Sequence, residues 1–215
     1  DEWLKLALQA AGAEKTNIAG YERGPNLLKN ASFETNDGKL PANWKVRTYS
    51  AKGKDVEHAI ETRASHIKSG KASIKIRSGS GHDTSIYSNV ELKSGTTYAL
   101  SAWIKTEGVN GGYGALLNVH ELQLKGKTKA LKGNNDWQKV ELVFECTQTG
   151  NLTINCLFGG WGQAKGTAWY DDLSLQEVLP IYKNVDQENS KQSIAKRVKD
   201  IFSDNNSALR ETNFK

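Results

Sequence analysis

The stretch Tyr98-Ala99-Leu100-Ser101-Ala102-Trp103-Ile104-Lys105 decides the fold class, because every second residue in it belongs to one apolar series. That series is Tyr98, Leu100, Ala102 and Ile104. A period of two is typical of a β-strand with one buried face. If the apolar series faces a core, then Ser101, Trp103 and Lys105 face outward.

The same alternation recurs through the middle of the chain, for example at residues 72–76, 140–146 and 152–158. Turn-forming residues separate the runs, among them Ser69-Gly70 and Thr149-Gly150-Asn151. Many short strands with no helical pattern between them pack as two antiparallel sheets. The sequence therefore predicts an all-β domain over residues 26–179 with two packed antiparallel sheets, either a plain β-sandwich or a jelly roll.

The two ends of the chain have a different pattern. In residues 1–25, Trp3, Leu4, Ala7 and Leu8 recur at helical spacing, which predicts a helix over residues 1–12 followed by a linker. Residues 180–215 are polar, with Ile194 and Val198 at helical spacing after Ser190, which predicts a helical extension. Since the chain contains no Met, even at position 1, we expect it to be a fragment whose first 25 residues connect to a preceding domain.

The composition and charge of the chain argue against two classes of partner, nucleic acids and membranes. The net charge of +5 is spread along the chain without a dense basic block, so we expect no nucleic-acid partner. No apolar run approaches the roughly 20 residues that span a bilayer, so we expect no membrane insertion. Cys146 and Cys156 are in phase with apolar neighbours and are expected to be buried thiols, although strands in opposite sheets would allow a disulfide.

Four segments, at residues 26–34, 98–105, 136–140 and 166–175, resemble the jelly-roll carbohydrate-binding modules of the galactose-binding-like superfamily. Two more, at 114–123 and 153–162, resemble a subgroup embedded in large exported bacterial proteins. Those proteins also carry helical repeats, a dehydrogenase-like propeller and a cytochrome-c-like haem domain. The resemblance implies an exported, non-catalytic module within a multidomain protein.

Alternation also places Asn118, His120 and Asn155 on an outer face, and the resemblance puts their strands in one concave sheet with Trp103 and Lys105. An aromatic plane stacks on the C–H face of a pyranose, and amides or imidazoles pair with its hydroxyls. Trp161 and Tyr113 would add platforms at the rim. The expected carbohydrate-binding residues are therefore Trp103, Lys105, Tyr113, Asn118, His120, Asn155 and Trp161. Packing of Trp103 or Trp161 under a loop is the alternative.

The resemblance further implies a structural Ca²⁺ between the first and last strands, held by Glu34, Asp171 and backbone carbonyl oxygens of the turn that contains Lys71. The alternative is that Lys29 or Lys71 simply neutralises these acids.

Catalysis is not expected. No pattern of an activated nucleophile or of paired carboxylates is recognisable, and Glu121 is expected to face the core. The leading hypothesis is thus a carbohydrate-binding module. The alternatives are a spacer that docks other domains of the parent chain, and a calcium-dependent adhesion domain. Exposure of Trp103 and Trp161 distinguishes the leading hypothesis from the spacer.

Overall fold

The computed structural model describes residues 18–49 and 55–182, and the side chains within 21–49 and 55–179. The chain divides into two units, residues 1–22 with 180–215, and Arg23–Leu179. The helices expected over residues 1–12 and after Ser190 lie outside the described residues. Among the described residues, no helix has the length and apolar character needed to cross a membrane.

The described residues are mostly β-structure, with short 3₁₀ segments at Ala64–His66 and His120–Gly126. The strands are β1 (Ile18–Arg23), β2 (Lys45–Thr48), β3 (Val56–Glu61), β4 (Ser73–His82), β5 (Thr84–Leu92), β6 (Thr97–Gly111), β7 (Gly114–Val119), β8 (Gly133–Glu145), β9 (Gly150–Gly159) and β10 (Ala164–Tyr182).

The strands form two antiparallel sheets, which confirms the predicted sandwich. One sheet has the order β3-β4-β10-β6-β8, with β1 also paired to β10, and the other has the order β2-β5-β9-β7. The stretch 98–105 lies in β6, between β10 and β8. Its inward series Tyr98, Leu100, Ala102 and Ile104 is at most 3% exposed.

The strands at the domain edges extend further than the sequence predicted. Residues 18–23, expected to be linker because of Gly20, form β1, and β10 continues to Tyr182. Pairing with a neighbouring strand determines whether such a segment is extended, because a glycine weakens a strand without excluding it.

The core contains the inward faces of both sheets, including Ile74, Leu100, Ile154 and Phe158. Phe33 is fully buried and meets Trp44 edge to face, with 5.2 Å between ring centroids. Cys146 and Cys156 are buried free thiols, as predicted. Burial raises the pKa of the Cys156 thiol well above its ordinary value, so this thiol stays protonated.

A polar cluster bridges the sheets at one end of the core. His58 on β3 contacts the hydroxyl of Thr84 on β5 at 2.7 Å, and that hydroxyl also contacts Thr48 at 2.9 Å. Nearby, Nδ1 of the fully buried His82 lies 2.7 Å from the hydroxyl of Ser78. Burial, together with the charge of His82, lowers the pKa of His58 to about 4.

We expect this histidine to make stability depend on pH. The pKa of His58 is lower in the folded protein than the 6.5 of a free imidazole, so the contribution is complete above pH 6.5 and is lost as pH falls towards 4. Allowing for partial exposure, the loss is about 1–2 kcal/mol. Urea denaturation between pH 7 and pH 4.5 measures it. His58→Gln retains an amide able to contact Thr84 and should flatten the profile; an unchanged slope in that variant would contradict the assignment.

Candidate functional site

The outer face of the four-stranded sheet carries a row of directly opposed residues. Tyr87 on β5 faces Asn155 on β9, which faces Asn118 on β7. Lys45 on β2 extends the row at one end, and Lys127 extends it at the other through a bridge to Asn118. Directly opposed residues of antiparallel strands project from the same face. We call these five residues the amide row.

The centre of the amide row is buried and internally bonded. Asn118 is 2% exposed and Asn155 is fully buried. Asn155 donates from Nδ2 to Oδ1 of Asn118 at 3.0 Å, and Arg47 Nη2 donates to Oδ1 of Asn155 at 3.5 Å. The guanidinium of Arg47 lies over the Tyr87 and Tyr49 rings, with its carbon 4.6 and 5.1 Å from the centroids. These two bonds run from Arg47 to Asn155 and from Asn155 to Asn118. Because Oδ1 of Asn118 accepts the second bond, its Nδ2 is the donor at the end of the series.

Asn118 lines a cleft of about 170 Å³ beside the row. Tyr49 and His120 stack on one side, with centroids 6.0 Å apart and planes 13° from parallel. The other lining residues are Asp83, Gln123, Leu157, Gly160 and Trp161. Burial raises the pKa of the Tyr49 phenol, which keeps the hydroxyl protonated as a hydrogen-bond donor. The cleft thus combines aromatic surface with amide, imidazole, phenol and carboxylate groups.

Trp161 is 43% exposed and meets Tyr113 edge to face at 5.5 Å. It lies in the turn Gly159-Gly160-Trp161-Gly162, whose φ angles are all positive. The Tyr113 N–H donates to the Gly159 carbonyl at 2.6 Å, and the Gly160 N–H donates to Oδ1 of Asp83 at 3.1 Å. Burial raises the pKa of Asp83, and the Gly160 bond opposes that shift. These bonds hold the indole at the rim of the cleft.

The turn depends on Gly159. A Cβ at this position would lie 2.5 Å from the His82 carbonyl oxygen, at a φ of +104°. We expect Gly159→Ala to displace the turn, reduce stability by about 2 kcal/mol and move Trp161 away from Tyr113.

Gly133→Ala is the matched control, since it has a φ of +74° and no atom within 4 Å of the added Cβ. It should cost only the backbone penalty of about 1 kcal/mol. Thermal melting and Trp fluorescence compare the two variants. Equal effects in both would contradict the role of Gly159.

Of the residues expected to bind carbohydrate, Asn118 and Asn155 lie on the four-stranded sheet, and the segments that flank its strands bring three more to the same site: Tyr113, His120 and Trp161. The placement of Trp103 and Lys105 in that sheet is wrong, because β6 belongs to the six-stranded sheet. Trp103 does face outward, but it is half-buried, with the Lys68 ammonium 3.9 Å from its ring centroid. Lys105 forms an ion pair with Asp136 at 2.8 Å.

Sequence reasoning also misplaced Glu121 and missed several cleft residues. Strand β7 ends at Val119, and Glu121 lies exposed in the following 3₁₀ segment, where it accepts bonds from the N–H and hydroxyl of Thr153 at 2.9 Å. Arg47, Tyr49 and Asp83 were not foreseen. Residues 45–48 contain too short an alternation to identify Arg47 as an outward residue.

The residues expected to hold calcium converge on one turn. Glu34 accepts the Lys71 N–H at 3.0 and 3.1 Å, and Asp171 accepts the N–H groups of Lys68 and Ser69 at 2.9 and 3.2 Å. Lys71 thus contacts Glu34 through its N–H. Burial raises the pKa of Asp171 to about 6. Among the described residues, no three His, Cys, Asp or Glu side chains cluster as a metal site. Glu34 and Asp171 meet this turn through its N–H groups, so a Ca²⁺ ion bound here would still need backbone or water oxygens to complete its ligand set.

The sequence profile described as "Carbohydrate binding domain" matches residues 25–156. The chain belongs to this family. This carbohydrate-binding domain is 27% identical over 166 residues to the tRNA(Glu)-specific nuclease WapA of Bacillus subtilis subsp. natto (strain BEST195), a match that covers 71% of this chain and 7% of the relative. The chain therefore spans a small fraction of that curated relative.

Solved structures resemble the carbohydrate-binding domain in fold. A cyclase from Fischerella sp. TAU has a TM-score of 0.54 at 17% identity, and the match covers 76% of this chain and all of the cyclase. A structure described as "CBM4 structure and function" has a TM-score of 0.50 at 15% identity, covering 69% of this chain and 98% of its own. At these identities the likeness shows the jelly-roll fold alone.

Proposed function

We propose that the cleft beside the amide row binds an oligosaccharide, or one segment of a polysaccharide, without catalysing a reaction on it. The observation that carries this proposal is the 43% exposed indole of Trp161 at the rim of a cleft lined by Asn118, His120 and Gln123. Membership in a carbohydrate-binding family supports the same chemistry.

Each part of the cleft has a counterpart in a sugar ring. The Trp161 indole offers a flat apolar surface for the C–H face of a pyranose. The amide and imidazole groups of Asn118, Gln123 and His120 supply donors and acceptors for hydroxyl groups. The bonds from Arg47 to Asn155 and from Asn155 to Asn118 fix one of these amides before a ligand arrives, which reduces the entropy cost of binding.

A glycan array probed with the intact chain tests this proposal. We expect binding to a defined class of oligosaccharides, followed by a measurable affinity in calorimetry. If no member of a broad array binds, the cleft is not a carbohydrate site, and the role as a spacer that docks neighbouring domains becomes the better account.

We further propose that this domain is one module of a large exported bacterial protein, in the subgroup with dehydrogenase-like and cytochrome-c-like domains. Support comes from the segments at 114–123 and 153–162, and from the curated relative of which the matching stretch is 7%. Secretion of the parent protein from its native host, detected with an antibody to this domain, tests the location.

Calcium binding at Glu34 and Asp171 is a separate proposal. A bound ion would supply positive charge that joins the first and last segments of the sandwich. We expect millimolar Ca²⁺ to raise the melting temperature. At 100 times the dissociation constant, binding would add about 2.7 kcal/mol to the free energy of unfolding. Glu34→Gln should abolish the shift. Asp136→Asn, which removes a carboxylate that pairs with Lys105 instead, should preserve it. Identical melting with Ca²⁺ and with a chelator would contradict calcium binding.

A further inference from the structure

We propose that the ligand of this site is an anionic saccharide, carrying carboxylate or sulfate groups that bind Arg47 and the lysines at the two ends of the amide row. This inference rests on the proposed function and specifies the substrate class of the same site.

The first observation is the position of the cations. The row runs Lys45, Tyr87, Asn155, Asn118, Lys127 across neighbouring strands, so a cation stands at each end of an uncharged centre. Four strand spacings of about 4.8 Å separate the ends by roughly 19 Å along the backbone. An extended oligosaccharide that crosses the strands therefore meets a positive charge at both ends.

The second observation is that these cations have no acidic partner. Within the described parts of the chain, no carboxylate oxygen lies within 4.0 Å of Lys45, Arg47 or Lys127, although other surface cations such as Arg23 and Lys105 do have such partners. Nε of Arg47 is buried and has no hydrogen-bond partner among the described residues. The cost of this unsatisfied donor is a second sign that the described residues do not fully pair the Arg47 guanidinium, whose charge remains for an anionic ligand.

The third observation is that aromatic rings hold two of the three cations, Arg47 and Lys127, in place. Arg47 lies over Tyr49 and Tyr87, and the Lys127 ammonium lies 4.8 Å from the Tyr113 ring centroid. Tyr113 in turn contacts Trp161, so one of these cations is joined to the exposed indole. Stacking orients a guanidinium or ammonium without neutralising it, which leaves the charge available to an anion.

The acidic groups near the cleft bond to neutral donors and, among the described residues, are not paired with these cations. Asp83 accepts the Gly160 N–H at 3.1 Å, and both oxygens of Glu121 are engaged by Thr153. Neither acid forms an ion pair with Arg47 or with either lysine, within the described residues. Asp83 thus bonds to the turn that contains Gly160, and Glu121 bonds to Thr153 on β9.

Calorimetric titration with two matched pairs of polymers tests the inference. One pair is polygalacturonate and its methyl ester, and the other is dextran sulfate and dextran. We expect the charged member of at least one pair to bind about 10-fold tighter or more. The galacturonate pair reports on carboxylate and the dextran pair on sulfate. We also expect that affinity to fall with added salt.

Variants separate a built site from general attraction to a basic protein. Arg47→Gln and Lys127→Gln should each reduce affinity for the anionic polymer about 10-fold, because each removes one charge-assisted contact. Arg77→Gln is the matched control, since Arg77 is exposed on β4 of the other sheet. Melting curves confirm that each variant folds. If Arg47→Gln does not fold, Lys127→Gln still tests the inference.

The outcomes distinguish this inference from the proposed function. Equal binding of the charged and neutral members, with loss in Trp161→Ala, overturns the anionic ligand and leaves carbohydrate binding intact. Equal losses in Arg77→Gln and Arg47→Gln show nonspecific attraction and also overturn it. If neither pair of polymers binds but neutral sugars on the array do, only the anionic ligand is rejected. If no carbohydrate binds at all, both proposals are rejected.

Discussion

Replacing Trp161 with alanine should weaken carbohydrate binding by about 10- to 100-fold, the largest functional effect that we expect from a single substitution. Loss of the ring removes an aromatic contact worth about 1.5–3 kcal/mol when a sugar covers it. Because the side chain is 43% exposed in the free protein, its removal should leave the folded structure almost unchanged. Calorimetric titration with the best ligand from the array measures the change.

Trp103→Ala is the matched control for this experiment. Trp103 is an outward indole of the same domain, but it lies on the six-stranded sheet beneath Lys68. Its removal should leave affinity within a factor of about two, since it lies on the other sheet and is not among the residues that line the cleft. A large loss in Trp103→Ala with none in Trp161→Ala would place the binding face on the other sheet and reject the cleft.

The largest effect on stability is expected for Phe33→Ala. Phe33 is fully buried and packs edge to face against Trp44, which donates from its indole N–H to the Lys29 and Asn30 carbonyl oxygens at 3.2 Å. Removing the ring leaves a cavity and loosens this corner of the sandwich. We expect the free energy of unfolding to fall by about 3–5 kcal/mol in urea denaturation.

Leu124→Ala is the control for Phe33→Ala, because Leu124 is 52% exposed in the 3₁₀ segment. Its substitution should change the free energy of unfolding by no more than about 0.5 kcal/mol. If Phe33→Ala costs under about 1 kcal/mol, the corner around Trp44 is not part of the cooperative core.

The fold was predictable because its signal is local. Alternation in 98–105 or 152–158 needs only neighbouring residues, and it correctly assigned Leu100 and Ile154 to the core. The same local signal placed Asn118 and Asn155 outward, and the family resemblance put their strands in one sheet, where they face each other across β7 and β9. Alternation also placed Trp103 outward correctly, but it does not say which of two sheets a strand joins, and the resemblance assigned β6 to the wrong one.

The remainder of the site was not predictable for a related reason. Strand β2 has four residues, too few to reveal a period, so the position of Arg47 between two tyrosine rings had no strong sequence signal. Asp83 lies between β4 and β5, and its bond to Gly160 joins segments 77 residues apart. Strand pairing alone brings such distant residues together. Burial of Asn118 and Asn155 likewise depends on packing above the sheet.

The two cysteines of this chain are enclosed in the sandwich, with no exposed surface on either. A maleimide dye therefore has no natural anchor on the folded domain. A cysteine introduced at the exposed Gln163, two residues beyond Trp161, would be the one thiol that such a reagent reaches. A fluorophore attached there would report on ligand capture at the neighbouring indole without any further change to the protein.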